Sequence, residues 1–318
     1  MKEENLFRLG VRRGLTKGWQ GFLWIAKIIL PISLFTAILA WSGFLDAVGF
    51  LIRPAMDFFG LPAVAAVPLV IGMLAGIYGG IAAMAVLPMT VDQMTLVAVF
   101  LLIAHNLVQE CAVQGSSGVN PLKAALFRLV TAVLTVWALS FFLDPSGGPA
   151  APGNAAAAGA PAFTAMIAGW AVAAFLLMVR IFFIVMFVLT ILEIAKTFGW
   201  IHAIARFLAP LLRIMGLSGQ VGLLWVTAVV FGLAYGGAVI VEEVKNGRLT
   251  ETELEELHLS IGINHAMIED PSLFLPLGIH PFWLWVPRLV VAIIAVRLLT
   301  LWYAFRRQRS GPSGPAGT

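Results

Sequence analysis

The chain has 318 residues, 60% of them hydrophobic and only 11% charged, with a mean hydropathy of +0.96. That balance excludes a soluble domain, because runs of about 20 apolar residues recur and that is the length needed to cross a bilayer. The net charge of +4 sits mostly at the two ends and reports membrane orientation, not a nucleic-acid partner, while the single cysteine, Cys111, excludes an internal disulfide and a Cys-based metal cage.

The expected class is an all-α polytopic membrane protein, since a transmembrane β-barrel would show short alternating segments instead. Residues 1–20 carry Lys2, Arg8, Arg12, Arg13 and Lys17. They read as a cytoplasmic N-terminal segment without a cleavable signal. A first span is predicted over 22–44, then an amphipathic interfacial helix over 45–59, which mixes Asp46, Arg53 and Asp57 with apolar residues. Residues 61–90 are apolar but punctuated by Pro62, Pro68, Pro88, Gly72, Gly76, Gly79 and Gly80. A turn at 76–80 would leave two arms of about 10–14 residues, half a bilayer each, and so a re-entrant helical hairpin. One kinked span with packing glycines also fits that stretch.

A capping box at Thr90 and Gln93 opens a helix expected to run from about Asp92 to Val113, carrying His105, Gln109 and Glu110. Another span follows over 121–143. Residues 144–162 have no Lys or Arg and form an Ala/Gly/Pro linker, expected on the outer side. The order then repeats: a long apolar helix over 163–196 with Arg180 inside it, an amphipathic stretch over 199–215, and a Gly-rich stretch with Tyr235, Gly236 and Gly237. A capping box at Thr250 and Glu253, the stretch Asn264-His265-Ala266-Met267-Ile268-Glu269-Asp270 and a last span over 281–305 complete it. Residues 306–318 would return to the cytoplasm. Tyr78-Gly79-Gly80 matches Tyr235-Gly236-Gly237 at an offset of 157, and His105, Thr90 and Arg128 match His265, Thr250 and Arg288 at 160.

Two repeats are therefore expected, over 21–143 and 163–305, each with about three spans, an interfacial helix and a re-entrant hairpin. With both termini cytoplasmic and the linker outside, each half crosses an odd number of times and the halves are inverted, an arrangement characteristic of transporters. The order of elements, with His-Ala-Met-Ile-Glu-Asp and Tyr-Gly-Gly, resembles the nucleoside-recognition, or Gate, domain family. The same domain type occurs in the membrane part of ferrous iron transporter B and in spore maturation proteins A and B. The resemblance covers roughly 20–140 and 165–305. It implies a bacterial-type inner membrane protein with the fold above, and leaves the substrate open.

Ionisable groups inside spans are costly and mark function or a local pair. The candidate substrate-binding residues are His105, Asn106, Gln109 and Glu110 with Asn264, His265, Glu269 and Asp270. To these are added the hairpin residues Tyr78, Gly79, Gly80, Tyr235, Gly236 and Gly237, and Arg180 deep in its apolar helix. On a continuous helix His105 and Gln109, like His265 and Glu269, share a face. The set His105, Glu110, His265, Glu269 and Asp270 suits a divalent metal ion; the same groups suit a proton relay, or pairing with Arg128 and Arg288. Beyond such an ion, or a coupling proton or Na+, no cofactor is expected. No hydrolase, nucleotide-binding or metalloprotease motif is present in the sequence, so no enzyme is expected. The partners expected are the bilayer and a small solute or ion, with a homo-oligomer left open. The two functional readings are a secondary transporter working by alternating access and a non-transporting assembly or sensor protein on the same fold.

Overall fold

The computed structural model describes residues 2–145, 162–217 and 219–309; of residues 2, 233–235 and 306–309 only the backbone is described. Most of the linker (146–161) and the end of the C-terminal tail (310–318) therefore lie outside the described residues. Among the described residues the fold is all-α, one of the two ways a chain satisfies its own backbone in a bilayer.

The first repeat opens with α1 (Lys2–Trp41), continues through α2 (Phe44–Asp57) and a 3-10 turn, and enters α3 (Ala66–Ala75) and α4 (Ile77–Met84). It closes with α5 (Val91–Ala104), α6 (Leu107–Ser116) and α7 (Pro121–Leu139). The second repeat has α8 (Phe163–Thr197), α9 (Ile201–Phe207), α10 (Ala209–Met215), α11 (Gly219–Phe231) and α12 (Leu233–Lys245). It ends with α13 (Glu251–Asn264), the single turn α14 (Glu269–Ser272) and α15 (Pro281–Arg309).

The charged N-terminal segment is not separate from the first span. It is the first half of α1, a helix of 40 residues. The reason is a seam of glycines spaced by four along the helix. Gly10, Gly14 and Gly18 lie against Ile194, Thr190 and Met186 in turn, so α1 and α8 pack antiparallel. A Cβ added at Gly14 would sit 2.5 Å from the Thr190 Cα, which is why the backbones can approach only with glycine there. Lys17 Nζ donates to Glu193 across the same seam at 2.6 Å.

The Gly-rich stretch is a hairpin. Gly76 adopts φ 88° and ψ 174°, a conformation open to glycine, and separates α3 from α4. The arms then lie side by side, with Gly80 next to the Pro68 carbonyl and the Gly72 Cα. The turn is this one residue, so Tyr78, Gly79 and Gly80 belong to the second arm and not to the tip. The second hairpin turns the same way at Gly232 (φ 84°), between α11 and α12, with Gly236 packed on Ala228.

The helix expected from Asp92 to Val113 is broken at its histidine. His105 is extended (φ −77°, ψ 161°) and Asn106 is left-handed (φ 47°), so α5 ends at Ala104 and α6 starts at Leu107. The second repeat breaks identically: His265 is extended and Ala266 has φ 47°. Each break is bonded to its own hairpin, Asn106 N–H donating to the Gly72 carbonyl at 3.0 Å and Ala266 N–H to the Ala228 carbonyl at 3.3 Å. Both predicted capping boxes are formed at the other ends of α5 and α13.

Helices α5 and α13 start at opposite ends of α7. Asp92 accepts from the Asp144 N–H just past the C-terminal end of α7, and Lys123 near its N-terminal end meets Glu255 of α13 at 2.7 Å. Among the described residues five helices are long and apolar enough to cross a membrane, those over 3–41, 91–116, 121–139, 163–197 and 281–305, or six if the bent pair Ala209–Met215 and Gly219–Phe231 is one span. The segment α13–α14 matches α5–α6 in position but does not qualify by composition, because Glu251, Glu253, Glu255 and Glu256 crowd its start. Many large apolar side chains of the long helices face outward, among them Phe175, Phe183, Phe187, Val290 and Leu298, as lipid contact requires.

Candidate functional site between the two broken helices

The two breaks meet. His105 and His265 are buried, with ring centroids 5.0 Å apart and Nε2 atoms 3.5 Å apart. Each ring is aimed by its own helix: Nδ1 of His105 donates to the Leu101 carbonyl at 2.7 Å and Nδ1 of His265 to the Ile261 carbonyl at 2.9 Å. A carbonyl only accepts, so Nδ1 carries the proton in both rings.

Glu110, in the first turn of α6, reaches across this pair. Its Oε1 lies 3.0 Å from Nε2 of His105 and its Oε2 lies 3.2 Å from Nε2 of His265. Asp270 of the second repeat approaches His105 Nε2 at 3.6 Å. One cluster thus draws a histidine and an acid from each half.

Two arginines hold the breaks open. A broken helix exposes carbonyls that no following N–H satisfies. Arg128 donates through Nε to the Ile103 carbonyl at 2.8 Å and through Nη2 to the His105 carbonyl at 3.0 Å. Arg288 does the same for the Ile263 carbonyl (3.0 and 2.7 Å) and the His265 carbonyl (3.1 Å). They differ at Nη1: Arg128 pairs with Glu110 at 2.7 Å, whereas Arg288 forms no ion pair among the described residues.

The other expected site residues are distributed unevenly. Glu269 leaves the cluster and accepts from the Tyr78 hydroxyl at 3.3 Å, so the first hairpin reaches the second motif. Gln109 is exposed and accepts from the Asn106 amide at 3.1 Å. The face it was expected to share with His105 does not exist, because the chain between them is not one helix. The shared face of His265 and Glu269 fails for the same reason. Asn264 is fully buried and neither atom of its amide is bonded among the described residues. Gly79 and Gly80 serve the packing of the first hairpin, Gly236 packs on Ala228, and Gly237 lies against Val113 of α6. The side chain of Tyr235 lies outside the described residues. Arg180 is held by the Pro276 carbonyl at 3.0 Å and lines a cavity of about 230 Å³ with Ser33, Val86 and Leu177, apart from the histidines.

One buried polar group escaped the sequence reading. His258 meets Ser117 Oγ at 2.8 Å, and its carbonyl accepts from Gln114 at 3.1 Å. Its counterpart at the repeat offset is Ala98, so the repeat carried no signal for it.

A family model described as "Nucleoside recognition" (Gate) matches residues 22–118 and 175–268, more than half of the chain and one match in each repeat. The chain is also 28% identical over 302 residues to the uncharacterized membrane protein YvoD of Bacillus subtilis (strain 168), covering 94% of this chain and 96% of that protein. No solved structure matches it.

Proposed function

The chain belongs to the Gate, or nucleoside recognition, family, and from that premise we propose that it is a secondary transporter of a small polar solute or ion. The substrate site is the contact between the paired breaks. The observation that carries this reading is the pair of histidines 3.5 Å apart, each at a helix break and each from a different repeat. Unwound backbone inside a membrane is tolerated where it lines a path or a site, and paired broken helices at a repeat interface are the usual place for one. The protein makes or breaks no covalent bond in this reading.

The same proposal orients the chain. The two halves are inverted in a bacterial-type inner membrane, with both termini cytoplasmic. Supporting this, the equivalent helices α1 and α8 run antiparallel, and α5 and α13 enter from opposite ends of α7. The basic N-terminal residues favour the inner side.

One observation favours a second reading, a non-transporting assembly or sensor protein. The cluster is closed and internally paired, with His105, His265 and Arg128 all engaging Glu110. For a transporter this is the occluded arrangement, which must open. Solute uptake into proteoliposomes separates the two. Nucleosides and divalent ions are offered with and without a pH or Na+ gradient. Uptake that vanishes in His265→Ala and Glu110→Gln supports transport. No uptake of any of these by folded wild-type protein supports the second reading.

A further inference from the structure

We propose that the paired breaks bind one divalent transition-metal ion of the Zn2+ class, through Nε2 of His105, Nε2 of His265 and the carboxylates of Asp270 and Glu110. The inference rests on the reading of this cluster as the substrate site and narrows its substrate to a metal cation.

The argument is a count of donors and acceptors. With both Nδ1 protons committed to the carbonyls of Leu101 and Ile261, each Nε2 presents a lone pair to the centre. Among the described residues these lone pairs face carboxylate oxygens and each other, not hydrogen-bond donors. The separations are 3.5 Å between the two Nε2 atoms, 3.0 and 3.2 Å to Glu110, and 3.6 Å to Asp270. Four acceptors at such distances repel one another unless a positive charge sits among them. A proton satisfies two of them; a metal ion satisfies all four.

The distances suit the ion. A tetrahedral centre with bonds of about 2.0–2.1 Å holds its donors roughly 3.3–3.4 Å apart. The 3.5 Å between the two Nε2 atoms and the 3.6 Å from His105 Nε2 to Asp270 fall close to that value, and each Glu110 oxygen lies near one imidazole, Oε1 at 3.0 Å from His105 and Oε2 at 3.2 Å from His265. The donor atoms of His105, His265 and Asp270 all lie within 4.8 Å of one another, so these three form the core of the site, and Glu110 completes it by turning one oxygen inward from its contacts with the two imidazoles.

Chemistry selects the class. Two imidazoles and carboxylates suit Zn2+ and its first-row neighbours, while Mg2+ and Ca2+ prefer all-oxygen sites. The Nδ1–H to carbonyl bonds are the supports that orient metal-binding histidines. Charge agrees: Glu110 and Asp270 face the centre as acids, and among the described residues only the Arg128 guanidinium offsets them by direct contact. Arg128 then has a second part to play, holding Glu110 in place when the ion is gone.

The test uses the full chain, purified in detergent and stripped of metal. Equilibrium dialysis measures Zn2+ bound per chain, and Co2+ serves as the spectroscopic probe. We expect one Zn2+ per chain and the intense visible bands of tetrahedral Co2+. His105→Gln, His265→Gln and Asp270→Asn each weaken Zn2+ binding by more than the roughly 10–100-fold typical of a merely supporting residue. His202→Gln and His280→Gln, at exposed histidines away from the cluster, leave it unchanged. Folded wild type that retains neither ion, or binding undiminished by the three cluster substitutions, overturns the proposal. Where a variant does not fold, diethyl pyrocarbonate modification of the wild type replaces it: Zn2+ must protect His105 and His265, and modification at an unchanged rate overturns the site. If no metal binds yet uptake of another solute is lost in His265→Gln, the metal assignment fails while the transport reading stands. If metal binds but nothing is transported, the reverse holds.

Discussion

Arg128 and Arg288 bond the matching carbonyls one repeat apart, and differ chiefly in whether the guanidinium also meets an acid. Replacing each by methionine isolates that difference. Arg288→Met leaves the Ile263 and His265 carbonyls unsatisfied in a buried place, at about 1–3 kcal/mol each. Arg128→Met does the same to Ile103 and His105, and in addition strands Glu110, whose buried partner at 2.7 Å is removed, at about 3–5 kcal/mol more. The two substitutions should therefore differ by about 3–5 kcal/mol, a large share of a typical total stability of about 5–15 kcal/mol. The assay is thermal unfolding of purified, metal-free protein followed by tryptophan fluorescence, with monodispersity checked at each step. Arg128→Met should melt well below Arg288→Met. Adding Glu110→Gln should recover most of the gap in the Arg128→Met background and nothing in the Arg288→Met background. Equal losses for the two arginines, or no recovery by Glu110→Gln, would refute the idea that Arg128 is the counter-charge of Glu110.

The seam between α1 and α8 predicts a contrast between two glycines: Gly14→Ala puts a methyl group 2.5 Å from the Thr190 Cα and should destabilise by about 1–3 kcal/mol, whereas Gly169→Ala, helical with nothing within 4 Å, should be neutral or slightly stabilising in the same melting assay. Reporter fusions at Gly153 and at the C-terminus should report opposite sides of the membrane, the first outside and the second cytoplasmic; the same side for both would remove the inverted arrangement.

Much of the site was legible because repetition amplifies weak signals. His105 and His265 fall in one register with Thr90 and Thr250 and with Arg128 and Arg288, and that register marked the two stretches the fold brings together. The position of the breaks was not legible. Neither His105-Asn106 nor His265-Ala266 contains a glycine or proline, and nothing local to Ala266 announces φ 47°. The conformation is imposed from outside, by the Gly72 and Ala228 carbonyls that receive the freed N–H groups and the arginines that hold the freed carbonyls. Helix propensity is a local quantity and carries no record of those partners. The continuity of residues 1–20 with the first span was not legible for a related reason. Arg8, Arg12, Arg13 and Lys17 dominate its composition, while Gly10, Gly14 and Gly18, spaced by four along the same helix, are what pack on α8.

The capped, broken helices also act as rulers. Both α5 and α13 run 14 residues from a capping box to a histidine, which is about 21 Å at helical rise. A membrane measured with its headgroup regions included is about 40–45 Å thick. With the capping boxes set at opposite faces, as proposed, each histidine stands at half depth. The same distance is reached from either side because the two helices have the same number of residues. The meeting point is thus specified by counting, independently of what fills it. One residue more or less in either helix would displace its imidazole by about 1.5 Å and swing it by roughly 100°. The two halves differ in length elsewhere, the Tyr-Gly-Gly stretches standing 157 residues apart and the histidines 160, yet these two helices are equal to the residue.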